Sequence, residues 1–364
     1  MPDAQPYPVS RVHLEVLTDA VGVMQHAIGS RPDPDHGYCT DDVARALQVD
    51  LLHQRELGWE AVAPSAWRSL RFLEDAFDET AGRFRNFRRV DGTWIEGAPS
   101  EDSQGRAMLA LGETVEGTRD AQMVERASRL FLRALPAAQG LHAIRAQSSV
   151  LLGCDAALRT MRSGPVMPAY RVLARRLRAA FDQRSAADWP WPETRLTYEN
   201  ALPAHALIRA GLHLDSPAMI QAGLDALDWL IVAQTAPTGH FSPVGNTWWS
   251  CGGIKPQFDQ QPIEATAILL ASESAYRITG NVKYRLAMER AYAWFLGGND
   301  LGLDLADPDR GTSYDGLTPT GVNLNQGAES TLMWLMALEH IRALRRDPDT
   351  APGDRDQRAM SLTA

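Results

Sequence analysis

Twelve stretches of helical periodicity run along this chain as six pairs, and the two members of a pair differ in kind. The first members fall near 13–28, 63–77, 119–135, 168–184, 216–234 and 281–297. They are amphipathic, with charges gathered on one face, as in RDAQMVERASRLFLRAL at 119–135. The second members fall near 41–55, 101–113, 145–161, 199–213, 261–278 and 327–345 and carry more Ala, Leu and Gly. A helix with so little polar surface is buried on several sides. Alternation of sheathing and buried helices, six times over, predicts an all-α (α/α)6 toroid, with the second members as an inner ring and the first members around it. An open stack of hairpins is the competing topology, but twelve helices are what closure of six hairpins needs.

Connection lengths sharpen this reading. Steps from an inner helix to the next outer one are short, such as Gly280 alone between two helical runs. Steps from outer to inner are long, at 29–40, 78–100, 185–198, 235–260 and 298–326, with 136–144 the exception. Long connections in a compact domain are often functional, and these would all emerge where the inner helices begin. No Gly/Ser-rich linker divides the chain, so residues 13–346 are expected as one barrel domain. It follows an N-terminal extension at 1–12 and precedes a loose polar tail at 347–364.

Composition excludes several classes. The 364 residues carry a formal net charge of −9, unlike a bulk nucleic-acid binder. No apolar run approaches the ~20 residues of a membrane span, and the first ten residues lack an apolar signal core. Three scattered cysteines, Cys39, Cys154 and Cys251, give neither zinc spacing nor a disulfide framework. A soluble cytoplasmic protein without nucleic-acid or membrane partners is expected.

The chemistry concentrates where inner helices start. The segment HGYCTDDVARAL at 36–47 places Thr40 as an N-cap ahead of Asp41 and Asp42, with Arg45 four residues after Asp41. The pattern returns at 100–108, SEDSQGRAM, so that Asp41, Arg45, Ala46 and Leu47 align with Asp102, Arg106, Ala107 and Met108. Such recurrence marks a repeated architecture. The other starts offer Gln147 and Ser148; Tyr198, Glu199 and Asn200; Asp259, Gln260, Gln261 and Glu264; and Asn325, Gln326, Glu329 and Ser330. One acidic helix start is ordinary capping. Five aimed into one hollow repel each other, which calls for a bound cation, raised pKa values or a polyhydroxylated ligand.

Aromatic residues favour the ligand. Trp94, Trp189, Trp191, Trp248 and Trp249 lie in the long loops with Tyr38 and Tyr198, while Trp67, Trp229, Trp294 and Trp334 read as packing. Sugars stack their C–H faces on rings while their hydroxyls bond carboxylates and amides. No HExxH, phosphate loop, nucleophile elbow or contiguous calcium loop occurs, so neither metal nor organic cofactor is expected. The histidines are scattered, with His36 in the first motif, His205 in an inner helix and His240 in a loop.

Taken together, HGYCTDDVARAL, SEDSQGRAMLALG, QPIEATAILLASESAYRITG and NQGAESTLMWL resemble an uncharacterised bacterial group. Its members look like six-hairpin glycosidases and occur alone or beside glycosyltransferase domains. The resemblance covers roughly 13–345 and implies an oligosaccharide or glycoside substrate and, as an alternative, service as a glycosyltransferase partner. One departure is Val43, where a polar residue after the Asp pair is expected. Related epimerases use histidines on inner helices, whereas the inner starts here carry acids.

These observations predict a glycoside hydrolase with a proton-donating carboxyl set against a carboxylate that activates water. Asp42, Glu101, Glu264 and Glu329 lack an Arg four residues on and are the catalytic candidates, with Asp42 or Glu101 facing Glu264 or Glu329. Asp41 and Asp102, expected to be kept ionised by Arg45 and Arg106, fit substrate binding. His36, Tyr38, Trp94, Tyr198, Glu199, Asn200, Trp248, Trp249, Asp259, Gln260 and Gln326 complete the expected binding surface. A non-catalytic glycan-binding domain and a sugar isomerase or lyase, the latter with His36, His240, Tyr38 or Tyr198 as base, are the alternatives.

Overall fold

A computed structural model describes residues 7–346 apart from 96, 98–99, 163 and 185–187. The tail expected at 347–364 lies outside the described residues. Twelve helices form among those described: α1 (Val12–Leu17), α2 (Thr40–Leu57), α3 (Trp59–Ala76), α4 (Glu101–Gly117), α5 (Ala121–Ala138), α6 (Ile144–Leu158), α7 (Val166–Arg184), α8 (Leu202–His213), α9 (Pro217–Ala233), α10 (Pro262–Thr279), α11 (Val282–Trp294) and α12 (Ala328–Arg346). The even-numbered helices pack in sequence, α2 on α4, α4 on α6, and so on to α10 on α12, and α12 then packs on α2. That last contact closes the ring and rules out the open stack. The chain is an (α/α)6 toroid.

Composition explains which helices lie inside. Every residue of α6 from Arg145 to Leu158 is buried, with small residues such as Ala146, Ser149 and Gly153 letting neighbours approach. Helix α5 instead buries one stripe, Met123, Ala127, Leu130, Phe131 and Ala134, and turns its arginines outward.

The first outer helix departs from expectation. Periodicity suggests a helix over 13–28, yet α1 stops at Leu17. Asp19 accepts from the backbone N–H groups of Val21 and Gly22, an Asx turn that competes with helical bonding. The following residues make isolated bridges, Thr18 to Val23 and Met24 to Tyr38.

The long loops are stitched to one another. Tyr38–Cys39 pairs with Phe87–Arg88, Arg195–Leu196 pairs with Trp249–Ser250, and Gln260 bridges to Leu317. These short ladders, which helical periodicity does not reveal, hold the loops together around the end where the inner helices begin.

Candidate active site at the mouth of the ring

Two buried arginines organise the mouth. Arg45, on α2, donates to Asp42 Oδ1 at 3.0 Å and lies 2.9 Å from Glu329 Oε2 at the start of α12. One guanidinium therefore clamps carboxyls from two adjacent inner helices. Arg106, on α4, grips Glu199 with both terminal nitrogens, one at 2.9 Å. Its Nε lies 4.0 Å from Asp41 Oδ2. The expected pairings at four residues' spacing, Asp41 with Arg45 and Asp102 with Arg106, are thus replaced. On a helix, partners at three and four residues are both within reach, and Glu329 and Glu199 across the ring decide the direction of each guanidinium. Asp102 instead accepts a hydrogen bond from the Tyr198 hydroxyl.

A third arginine completes the set. Arg145, on α6, bonds Glu193 at 2.9 Å and Asn200 Oδ1 at 3.1 Å, donates to the Tyr198 carbonyl, and lies over the Tyr198 ring at 4.7 Å. Asn200 passes the network on, donating from Nδ2 to Glu264 Oε2 at 3.0 Å and from its backbone N–H to Oε1 at 3.2 Å. Sequence reasoning missed Arg145, although a signal existed: Arg-Ala recurs as Arg45-Ala46, Arg106-Ala107 and Arg145-Ala146 at three successive inner starts.

Burial sets the electrostatics. Asp42 is pushed up to about 7 by burial, with Glu329 and Asp41 adding to the effect and Arg45 opposing it. Glu264 is pushed up to about 7 by burial, against its bonds from Asn200. Asp41 is also raised by burial, which outweighs Arg45 and Arg106, so it is not the low-pKa carboxylate the sequence suggests. Its side chain nonetheless keeps 19 % of its surface accessible. Arg45 Nε and Gln326 Oε1 are buried without a hydrogen-bond partner among the described residues. Asp315, not singled out from sequence, is raised to about 6 by burial and by Glu329.

Several expected site residues are committed elsewhere. Glu101 accepts from the backbone N–H groups of His142 and Ala143 at 2.8 and 2.6 Å, capping the start of α6. Thr40, expected as N-cap, is instead the first residue of α2 and donates to the Arg85 carbonyl. Tyr38 is 1 % exposed and bonded to Asp19, so its ring faces protein and not ligand. Gln260 is buried between Trp294 Nε1 and Asp300 Oδ2. Trp94 packs on Phe72 beneath Arg85 and Arg88. Trp249 belongs to an aromatic cluster with Trp189 and Trp229. Exposed positions remain at Asp259 and Trp248, and His36 stacks edgewise on His26 at 4.4 Å. Asn325 Nδ2 lies 3.1 Å from His26 Nδ1, and burial followed by His36 lowers the His26 pKa. His26 was hidden by the expected first helix.

No group of three His, Cys, Asp or Glu placed to hold a metal ion occurs among the described residues. Nor is any helix among them long and apolar enough to cross a membrane.

No family model and no curated protein matches the sequence. Solved structures do match over almost the whole chain. The cellobiose 2-epimerase from Bacillus thermoamylovorans is 15 % identical, with a TM-score of 0.67 over 89 % of this chain and 97 % of that one. A D-mannose isomerase is 11 % identical, with a TM-score of 0.67 over 91 % and 94 %. A GH76 α-mannanase from Bacteroides thetaiotaomicron is 11 % identical, with a TM-score of 0.63 over 93 % and 95 %. At these identities the likeness is one of fold.

Proposed function

We propose that the chain is a carbohydrate-active enzyme, a glycoside hydrolase in which Asp42 is the general acid and Glu329 the base. The observation that carries this reading is the Arg45 clamp. It holds one carboxyl that is buried and raised to about 7 beside a second whose side chain is 35 % accessible. Both lie within hydrogen-bond reach of a single guanidinium, which keeps them inside the ~10 Å that two-carboxylate hydrolysis requires. A carboxyl near neutral pKa can donate a proton to a leaving glycosidic oxygen, while an accessible neighbour can activate water. The set of candidate acids narrows accordingly: Glu101 is occupied in capping, and Glu264 anchors Asn200. Arg106, Glu199, Asp41 and Tyr198 supply the surrounding sugar-hydroxyl partners. The solved relatives that act on cellobiose, mannose and mannan support a sugar in the mouth.

The test is release of reducing ends from a glycan panel. Asp42→Asn and Glu329→Gln should each lower turnover by ~10²–10⁴-fold. Full activity in both variants, or a wild type that cleaves none of the glycans, overturns the assignment.

A second reading, sugar isomerisation, is favoured by one observation: the His26–His36 pair, with Glu329 contributing to the charge around His26. A histidine of lowered pKa is neutral at pH 7 and can take a proton from carbon beside a carbonyl. Free reducing sugars converted without chain cleavage, and lost conversion in His26→Ala, would select this reading.

A further inference from the structure

We propose that Trp248, backed by Arg195, is an outlying sugar-stacking platform, so that the mouth takes a glycan of several units. This rests on the reading of the mouth as a glycan site, and it adds the length of the ligand.

The backbone gives the first indication. Where the described chain needs a positive φ it uses glycine at most positions, and only Glu199, Asp215, Trp248 and Asp259 are exceptions. Asp215 lies in the short turn between α8 and α9, at the far end of the ring. The other three lie in the loops leading into α8 and α10, at the mouth. Glu199 has a local reason, its grip by Arg106. Trp248 has φ 65 and keeps 44 % of its surface exposed. A bulky residue in the left-handed region costs free energy that glycine would avoid. An exposed indole regains too little from packing to explain that choice.

The mount is rigid. Trp248 follows a turn closed by its N–H to the Gly245 carbonyl at 3.2 Å. The next residue, Trp249, pairs with Leu196 and is fixed against Trp189 and Trp229, with ring centroids at 5.2 and 6.0 Å. Arg195 lies over the Trp248 ring at 4.5 Å and orients it. The result is a flat apolar ring whose angle the protein sets, with Arg195 on it and 44 % of the residue's surface left to solvent.

The position suits a glycan chain. Arg195 precedes Glu199 by four residues, so their Cα atoms are at most about 14 Å apart. The mount of the platform is therefore tied within that reach of the Arg106–Glu199 grip. A neutral sugar ring, apolar on its C–H face, is the ligand such a surface recognises when the rest of the chain lies over Arg45 and Arg106.

Calorimetric binding of cello-, malto- and manno-oligosaccharides of two and six units tests this, using Glu329→Gln to suppress turnover. For at least one series, six units should bind roughly five- to tenfold more tightly than two. Adding Trp248→Gly should close most of that gap. Because glycine suits φ 65, Trp248→Gly should also melt no lower than its parent. Equal affinity for both lengths, an undiminished gap in the double variant, or binding of none of these probes overturns the proposal. So does a melting temperature several degrees lower, which would make the ring a packing element. Cleavage by the wild-type protein is scored separately, so the platform and the hydrolytic assignment fail independently.

Discussion

At the scale of single residues, Arg45 is the group through which the two proposed catalytic carboxyls influence each other. Its charge lowers the Asp42 pKa, while burial and the Glu329 carboxylate raise it. If Asp42 is the acid, activity falls as pH rises through about 7. Arg45→Gln removes the cation and leaves Glu329, so the Asp42 pKa must rise. The alkaline limb of the pH–rate profile should then move up by about one unit. A limb that stays in place would remove Asp42 from that role. The sequence shows which residues share this mouth, because the DDVAR and EDSQGR helix starts repeat. It does not show their pairing, since Asp42 and Asp41 are both within reach of Arg45 on an isolated helix and the choice depends on Glu329, 284 residues beyond Arg45.

At the scale of elements, inner helices approach until their backbones touch. A Cβ added at Gly112 on α4 would lie 2.0 Å from the carbonyl oxygen of Gly153 on α6. One added at Gly153 would lie 2.4 Å from the Met108 carbonyl. Neither obstacle is a side chain that can turn aside. Gly112→Ala should therefore force the two helices apart and destabilise by about 2–3 kcal/mol in denaturant unfolding. Substitution at Gly29, which has open space, should act only through its φ of 59. A neutral Gly112→Ala would show that the crossing can widen freely. The richness of these helices in small residues was legible as burial, and so was their order. The shortened α1 was not, because Val21, Val23 and Met24 continue the apolar rhythm while Asp19 ends the helix through a local hydrogen-bond competition. The loop ladders were equally hidden, since each pairs only two residues from segments distant in sequence.

At the scale of the whole molecule, the ring must be closed at the seam between α2 and α12, which are its first and last inner helices. The segment before α1 crosses this seam. Arg11 donates to Asp50 on α2 at 2.6 Å and lies 2.8 Å from His53, while Arg342 on α12 donates to the Tyr7 carbonyl at 2.6 Å. His13 lies 2.8 Å from the Gln326 carbonyl, just ahead of α12. The stretch read from sequence as an extension thus fastens the first and last hairpins. Asp50 is 0 % exposed, and burial raises it to about 6 even with Arg11 beside it. Arg11→Ala would remove the cation bonded to that carboxylate, leaving Ser65 and the charge of Arg68 to stabilise it, and would release the strap. The cost should be about 3 kcal/mol at pH 8, where Asp50 is ionised. Lowering the pH to 5 protonates Asp50 in the folded state but far less in the unfolded one, whose carboxyl titrates near 3.9. The folded variant then binds more protons, so its stability must rise as pH falls. Denaturant unfolding at the two pH values measures this directly. A deficit equal at both would mean that Arg11 acts by packing alone, and no deficit at either would mean that the seam holds without the strap.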